Sequence, residues 1–235
     1  PSNFIFKDKV VNVDEYLSRT DPSALLIIKD GKISYENYWL TGGVNVQWLS
    51  MSVAKSFISA LIGIAIDQGY IKSIDDSVTE YVPQLKNSAY NNVRIKDILQ
   101  MSSGAAWNED YSDPNSDINR SAMILATGGS LDEFTSSLKN ELMPGTFNRY
   151  NSTDTQVLGM LIRESTGSSV TEYMQEMLWS PLGAENNAYW LLDSENMELV
   201  YAGLNATARD YAKLGELYRL EGNINGKQIV PSSWI

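Results

Sequence analysis

Apolar and polar positions change period several times along the chain. Residues 24–30 (ALLIIKD) and 32–39 (KISYENYW) are rich in β-branched and aromatic side chains and are joined through Asp30-Gly31. That pairing favours a tight turn, so the spacing predicts a β-hairpin near the start. Helical periodicity follows over residues 52–69, 93–102, 130–140, 154–166, 171–178 and 208–221, and Gly69, Gly104, Gly167 and Gly222 stand where a left-handed cap would end a helix. Residues 57–66 (FISALIGIAI) are apolar nearly all round, the mark of a buried helix. Ser59 and Gly63 interrupt them, and no run approaches the roughly 18 apolar residues of a membrane span. Residues 107–119 (WNEDYSDPNSDIN) are a polar stretch of turn formers, long enough to suggest function.

Strand material is concentrated at the beginning, and one hairpin does not make a stable sheet. The closing PSSWI, residues 231–235, reads as the start of another helix. The expectation is therefore that further strands follow and that these residues are the N-terminal part of a longer domain. Residues 1–47 would begin the sheet, 48–207 form a helical lobe, and 208–235 return towards the sheet.

Composition narrows the chemistry. A chain of 235 residues, 43% apolar and 20% charged, makes one globular domain or two closely packed lobes. It contains no cysteine and no histidine, so a Ser-His-Asp triad, a thiolate nucleophile and a His- or Cys-ligated metal site are all excluded within it. Acid–base work must run on Lys, Tyr, Asp or Glu. The formal charge of −11 comes with scattered basic residues, which argues against a nucleic-acid or anionic-membrane partner.

Two Ser-x-x-Lys patterns occur, Ser52–Lys55 and Ser136–Lys139. With 27 serines and 11 lysines, about 1.3 are expected by chance, so context has to separate them. Ser136 lies in a polar helix, where a solvated lysine suffices. Ser52 stands at the head of the buried helix, where i and i+3 share a face and free backbone N–H groups favour developing negative charge. Desolvation there would disfavour the ammonium form of Lys55 and let it accept the hydroxyl proton. The alternative is that Ser52 only caps the helix while Lys55 reaches water. A second constellation is Tyr150-Asn-Ser152 after the turn Pro144-Gly-Thr and before a helix with Val157, Leu158, Leu161 and Ile162 on its apolar face. If that loop meets Ser52, the Tyr150 hydroxyl can relay a proton; otherwise the ring is packing.

Ser52-Val-Ala-Lys55 heading a buried helix, with Tyr150-Asn-Ser152 about a hundred residues later, resembles the penicillin-recognising serine hydrolase superfamily. That group holds class C-type β-lactamases, DD-peptidases and related esterases and amidases. Residues 48–56 (WLSMSVAKS), 74–76 (IDD), 98–104 (ILQMSSG) and 157–159 (VLG) extend the likeness across nearly the whole chain. Ser152 in place of the usual Asn, and the loop Glu109-Asp-Tyr-Ser-Asp-Pro114, are similar to the branch of 6-aminohexanoate-dimer hydrolases and carboxylesterase-like relatives.

The resemblance implies an α+β fold of the β-lactamase/transpeptidase type, an antiparallel sheet packed against helices plus a helical lobe, with the site in the groove between them. It implies Ser52 as nucleophile, Lys55 as base, Tyr150 as proton relay, Ser152 as polar support for the lysine or substrate, and Tyr111 facing the substrate. The implied reaction is amide or ester hydrolysis through an acyl-enzyme, with no metal, no cofactor and a small-molecule substrate. A homodimer stays open, and so does the compartment, since relatives occur both outside the bacterial inner membrane and in the cytoplasm, the lean being to periplasmic or secreted over cytoplasmic. A DD-peptidase or β-lactamase, or a non-catalytic penicillin-binding-type sensor, are the alternatives. The family's third motif, Lys-Thr-Gly or Lys-Ser-Gly on a late strand, occurs nowhere in these residues, so the second oxyanion donor it brings is expected beyond Ile235. Losing one such donor costs about a hundred- to a thousand-fold in rate.

Overall fold

The structure, a computed structural model, describes residues 3–235. Its elements in chain order are β1 (Asn3–Phe6), β2 (Lys9–Asn12), α1 (Val13–Thr20), β3 (Ala24–Lys29), β4 (Lys32–Tyr38) and β5 (Gln47–Leu49). Next come α2 (Ala54–Asp67), α3 (Val78–Tyr81), α4 (Ile95–Leu99), α5 (Asp117–Thr127), α6 (Leu131–Ser137), α7 (Ser152–Thr166) and α8 (Val170–Met174). The last are β6 (Tyr189–Trp190), β7 (Leu204–Thr207), α9 (Ala208–Arg219), β8 (Asn223–Ile224) and β9 (Lys227–Gln228).

The predicted hairpin is β3–β4, antiparallel, with a register shift at Ile27/Ile28. Its turn works as its sequence requires, Asp30 and Gly31 both taking positive φ (52° and 74°), the conformation whose twist suits a two-residue hairpin. It leans on α9, where the Arg209 guanidinium donates two hydrogen bonds of 2.7 Å to the Glu36 carboxylate. That pairing holds Glu36 down at a pKa of about 2.

The core is helical. α2 and α7 pack on each other, and α7 also touches α3, α4, α6 and α8. From Phe57 to Ala65 only Ser59 of α2 escapes full burial, which explains why its sequence shows little amphipathic contrast. α7 is buried from Ser152 through Ile162, including five consecutive polar residues at its start. Gly159 on that helix is required by contact, because a Cβ there would sit 2.7 Å from the Val200 Cγ2. No helix among the described residues is long and apolar enough to cross a membrane.

Several expectations need correction. A three-stranded antiparallel sheet, ordered β5–β7–β6, begins at Gln47 and places two of its strands within the expected helical lobe. Its strands have two to four residues, too short to show an alternation in sequence. Helix α5 starts at Asp117, within the stretch read as a loop, because Ser116 caps it by accepting the Asn119 N–H at 3.4 Å. The helix expected over residues 93–102 shrinks to α4, and residues 232–234 form a single 3₁₀ turn.

Candidate active site

Strand β5 leads into a 3₁₀ turn, Met51–Val53, that runs straight into α2. Ser52 therefore stands one turn before the α-helix rather than as its first residue, and it is exposed. The turn is anchored on β7 and its approach: Ser50 N donates to Leu204 O (2.7 Å) and Ser50 Oγ to Ala202 O (3.0 Å). Met51 pays for the tight entry with φ of 47°, an uncommon conformation for a side-chain-bearing residue.

Lys55, in the first turn of α2, reaches back rather than out. Its Nζ lies 3.0 Å from Ser52 Oγ and donates to the Tyr201 carbonyl at 3.0 Å. The amine also sits 5.2 Å from the Tyr150 ring centroid and 5.6 Å from that of Tyr201. The alternative of an amine extended into water is not the arrangement observed. Tyr150 completes the cluster, its hydroxyl 2.8 Å from Ser52 Oγ.

The segment carrying Tyr150 is tied down on both sides. Arg149 donates to Ala105 O (2.9 Å) and pairs with Glu141 (2.6 Å), and its N–H binds Met101 O (3.0 Å). Asn151 caps α7 through Oδ1, accepting from Thr153 N and Asp154 N. Below the cap, Asp154 Oδ1 accepts from Ser103 Oγ (2.7 Å) and Tyr90 OH (3.0 Å), while Oδ2 is buried without a partner. Burial pushes that carboxyl up to a pKa of about 7, against the opposing pull of those hydrogen bonds and of Arg149.

Ser52 opens onto a cavity of about 340 Å³. Its wall comes from the end of β5, the turn after it, α5, the start of α7 and residues 199–202. Ser152 and Tyr111 both line it. Ser152 does not touch Lys55: its hydroxyl donates to Glu109 Oε1 (2.6 Å) and its N–H to Glu109 Oε2 (3.1 Å). The lysine's second partner is instead the Tyr201 carbonyl. Tyr111 donates its hydroxyl to Glu109 Oε1 (2.8 Å), and desolvation with the adjacent carboxylate pushes that phenol up to about 12. Trp107 Nε1 donates to the same carboxylate.

Glu109 thus gathers the loop after Trp107 onto the turn that carries Tyr150. Sequence reasoning placed it in a suggestive loop and gave it no part. Tyr201 had no signal at all, because it serves the lysine through its main chain. Gln156 sets that segment, donating to Glu198 O (2.8 Å) and accepting from Val200 N (3.2 Å).

A family model described as Beta-lactamase matches residues 17–234. The chain belongs to the beta-lactamase family. It is 30% identical over 234 residues to a 6-aminohexanoate-dimer hydrolase of Paenarthrobacter ureafaciens, covering 97% of this chain and 59% of that protein. A solved Bacillus anthracis structure described as a candidate 6-aminohexanoate-dimer hydrolase superposes with a TM-score of 0.86 at 28% identity, over 96% of this chain and 61% of that one. The structure of EstCE1, a hydrolase with promiscuous acyltransferase activity, matches with a TM-score of 0.72 at 18% identity, over 90% and 70% of the two chains. The fold is of the β-lactamase/transpeptidase type, and the chain spans about three-fifths of the first two relatives.

Proposed function

We propose that this beta-lactamase-family protein is a serine hydrolase, cleaving an ester or amide through an acyl-enzyme on Ser52. The observation that carries this reading is the convergence of Lys55 Nζ (3.0 Å) and Tyr150 OH (2.8 Å) on one exposed serine hydroxyl at the mouth of a cavity. A nucleophile and its base within hydrogen-bond reach, with a third group orienting the base, is the arrangement covalent catalysis needs. Here the orienting group is the Tyr201 carbonyl, which fixes the amine without supplying a charge.

In this reading Lys55 accepts the Ser52 proton as Oγ attacks the carbonyl carbon. The resulting oxyanion lies by the Ser52 N–H, at the positive end of the turn and helix that follow. As the bond to the leaving group breaks, Tyr150 passes it a proton and is reprotonated from Lys55. Water then attacks the acyl-serine by the reverse route, releasing the carboxylic acid and restoring Ser52. Ser152 and Tyr111 shape the substrate side of the cavity, held there by Glu109. The name of one relative, a 6-aminohexanoate-dimer hydrolase, supports the reaction class.

The test is Ser52→Ala in the full-length protein, assayed with p-nitrophenyl acetate and with a serine-directed fluorophosphonate. Turnover is expected to fall to background and labelling to vanish. Undiminished activity in the variant would refute the assignment.

A further inference from the structure

The cavity beside Ser52 has a definite chemical character. Its apolar lining includes Leu49, Ile118, Ala122, Leu125, Leu199 and Ala202. The polar side chains at its rim are engaged within the protein. Ser152 and Tyr111 donate to Glu109, the Tyr201 hydroxyl pairs with Ser121 at 2.8 Å, and Asn119 Nδ2 donates to the Tyr111 and Asp113 carbonyls. No charged side chain lines it among the described residues. Lys55 is turned onto Ser52 and Tyr201, and each Glu109 oxygen already accepts two hydrogen bonds.

We propose that this cavity is the acyl pocket and that it selects a neutral, apolar acyl group over one ending in an ammonium or a carboxylate. The inference rests on Ser52 being the nucleophile. An apolar cavity of about 150 Å³ accommodates benzene. At about 340 Å³ this one has room for a chain of about six to eight carbons or an aryl ring with a short spacer. A charged terminus entering it would lose its hydration and meet no counter-charge among the described residues. Each methylene buried there is worth up to about four-fold in binding.

The experiment compares p-nitrophenyl esters on the full-length protein, since a shared leaving group makes the acyl part the only variable. The series is acetate, butyrate, hexanoate and octanoate, with 6-aminohexanoate and the adipate half-ester as charged counterparts of hexanoate. We expect kcat/KM to rise at least ten-fold from acetate to hexanoate, and both charged chains to fall at least ten-fold below hexanoate. Ala122→Trp fills the pocket from an exposed position on α5 and should lower the hexanoate-to-acetate ratio at least ten-fold. Leu125→Lys places an ammonium in the wall and should raise the adipate half-ester relative to hexanoate. A flat or falling chain-length series that still depends on Ser52 overturns the pocket while sparing the hydrolase reading. Ratios unmoved by both variants do the same. Failure of every ester together with absence of Ser52 labelling overturns both.

Discussion

Replacing Asp154 with Asn isolates the buried carboxyl beneath the proposed active site. Asn retains the Oδ1 acceptor that serves Ser103 and Tyr90, and puts an amide where Oδ2 now lies buried and unpaired. What it removes is the ionisation. The folded-state pKa of about 7 stands above the ordinary 3.8, so the native protein holds this proton longer than the unfolded chain does. The associated stability is present below about pH 4 and is lost progressively as pH rises through 7. At about 1.4 kcal/mol per pH unit, the group weakens the fold by about 4 kcal/mol once fully ionised. Most of that change, about 2.5 kcal/mol, falls between pH 5 and pH 8. Tyr90, pushed well above 10 by its burial, remains a donor throughout, and Arg149 contributes the nearby positive charge. Urea unfolding of both proteins at pH 5, 6, 7 and 8 gives the stability difference at each pH. It should move in favour of the variant by about 2–3 kcal/mol across the series. A difference that stays constant with pH would show that Asp154 titrates as it does in the unfolded chain, and the burial argument would be wrong.

Other outcomes are equally direct. Glu109→Ala strips the acceptor from the buried Ser152 hydroxyl and amide and from Trp107, and should lower stability by about 2–4 kcal/mol in chemical denaturation. An unchanged midpoint would mean that water already satisfies those donors. Gly159→Ala forces a methyl to 2.7 Å from Val200, next to Tyr201. It should cost about 1–3 kcal/mol and lower kcat for p-nitrophenyl esters more than it raises KM; wild-type values of both would show that Val200 moves freely. Glu36→Gln removes a carboxylate whose folded pKa of about 2 lies below its usual 4.5. The variant should be less stable at pH 7 and converge on wild type as pH falls towards 2, whereas a pH-independent gap would discount the Arg209 pairing.

Ser52 and Lys55 were legible because one helical turn brings i and i+3 together whatever surrounds them. Tyr150 stood out in the turn ahead of α7, but its meeting with Ser52 was only conditional in the sequence, since that approach spans 98 residues and depends on the Arg149 and Asn151 contacts. Ser152, expected to support the lysine or the substrate, lines the cavity and bonds not to the lysine but to Glu109, 43 positions earlier, a pairing no local pattern encodes. The β3–β4 hairpin was readable from six- and seven-residue strands around Asp30-Gly31, while β5 and β7 were not. They are short, and they pair Trp48 with Ala206, far along the chain. Helix α5 hid because it starts inside a run of turn formers, one of which, Ser116, is its cap.

The attachment of the Lys55 amine to a peptide oxygen has a practical corollary. That tether is indifferent to the side chain borne at position 201, but the ring there is held on its own account, buried in the core with its hydroxyl paired to Ser121. Randomising that codon would therefore disturb core packing before it disturbed the amine's anchorage, and Ala122, exposed on the chamber's wall, is the better first position for directed evolution.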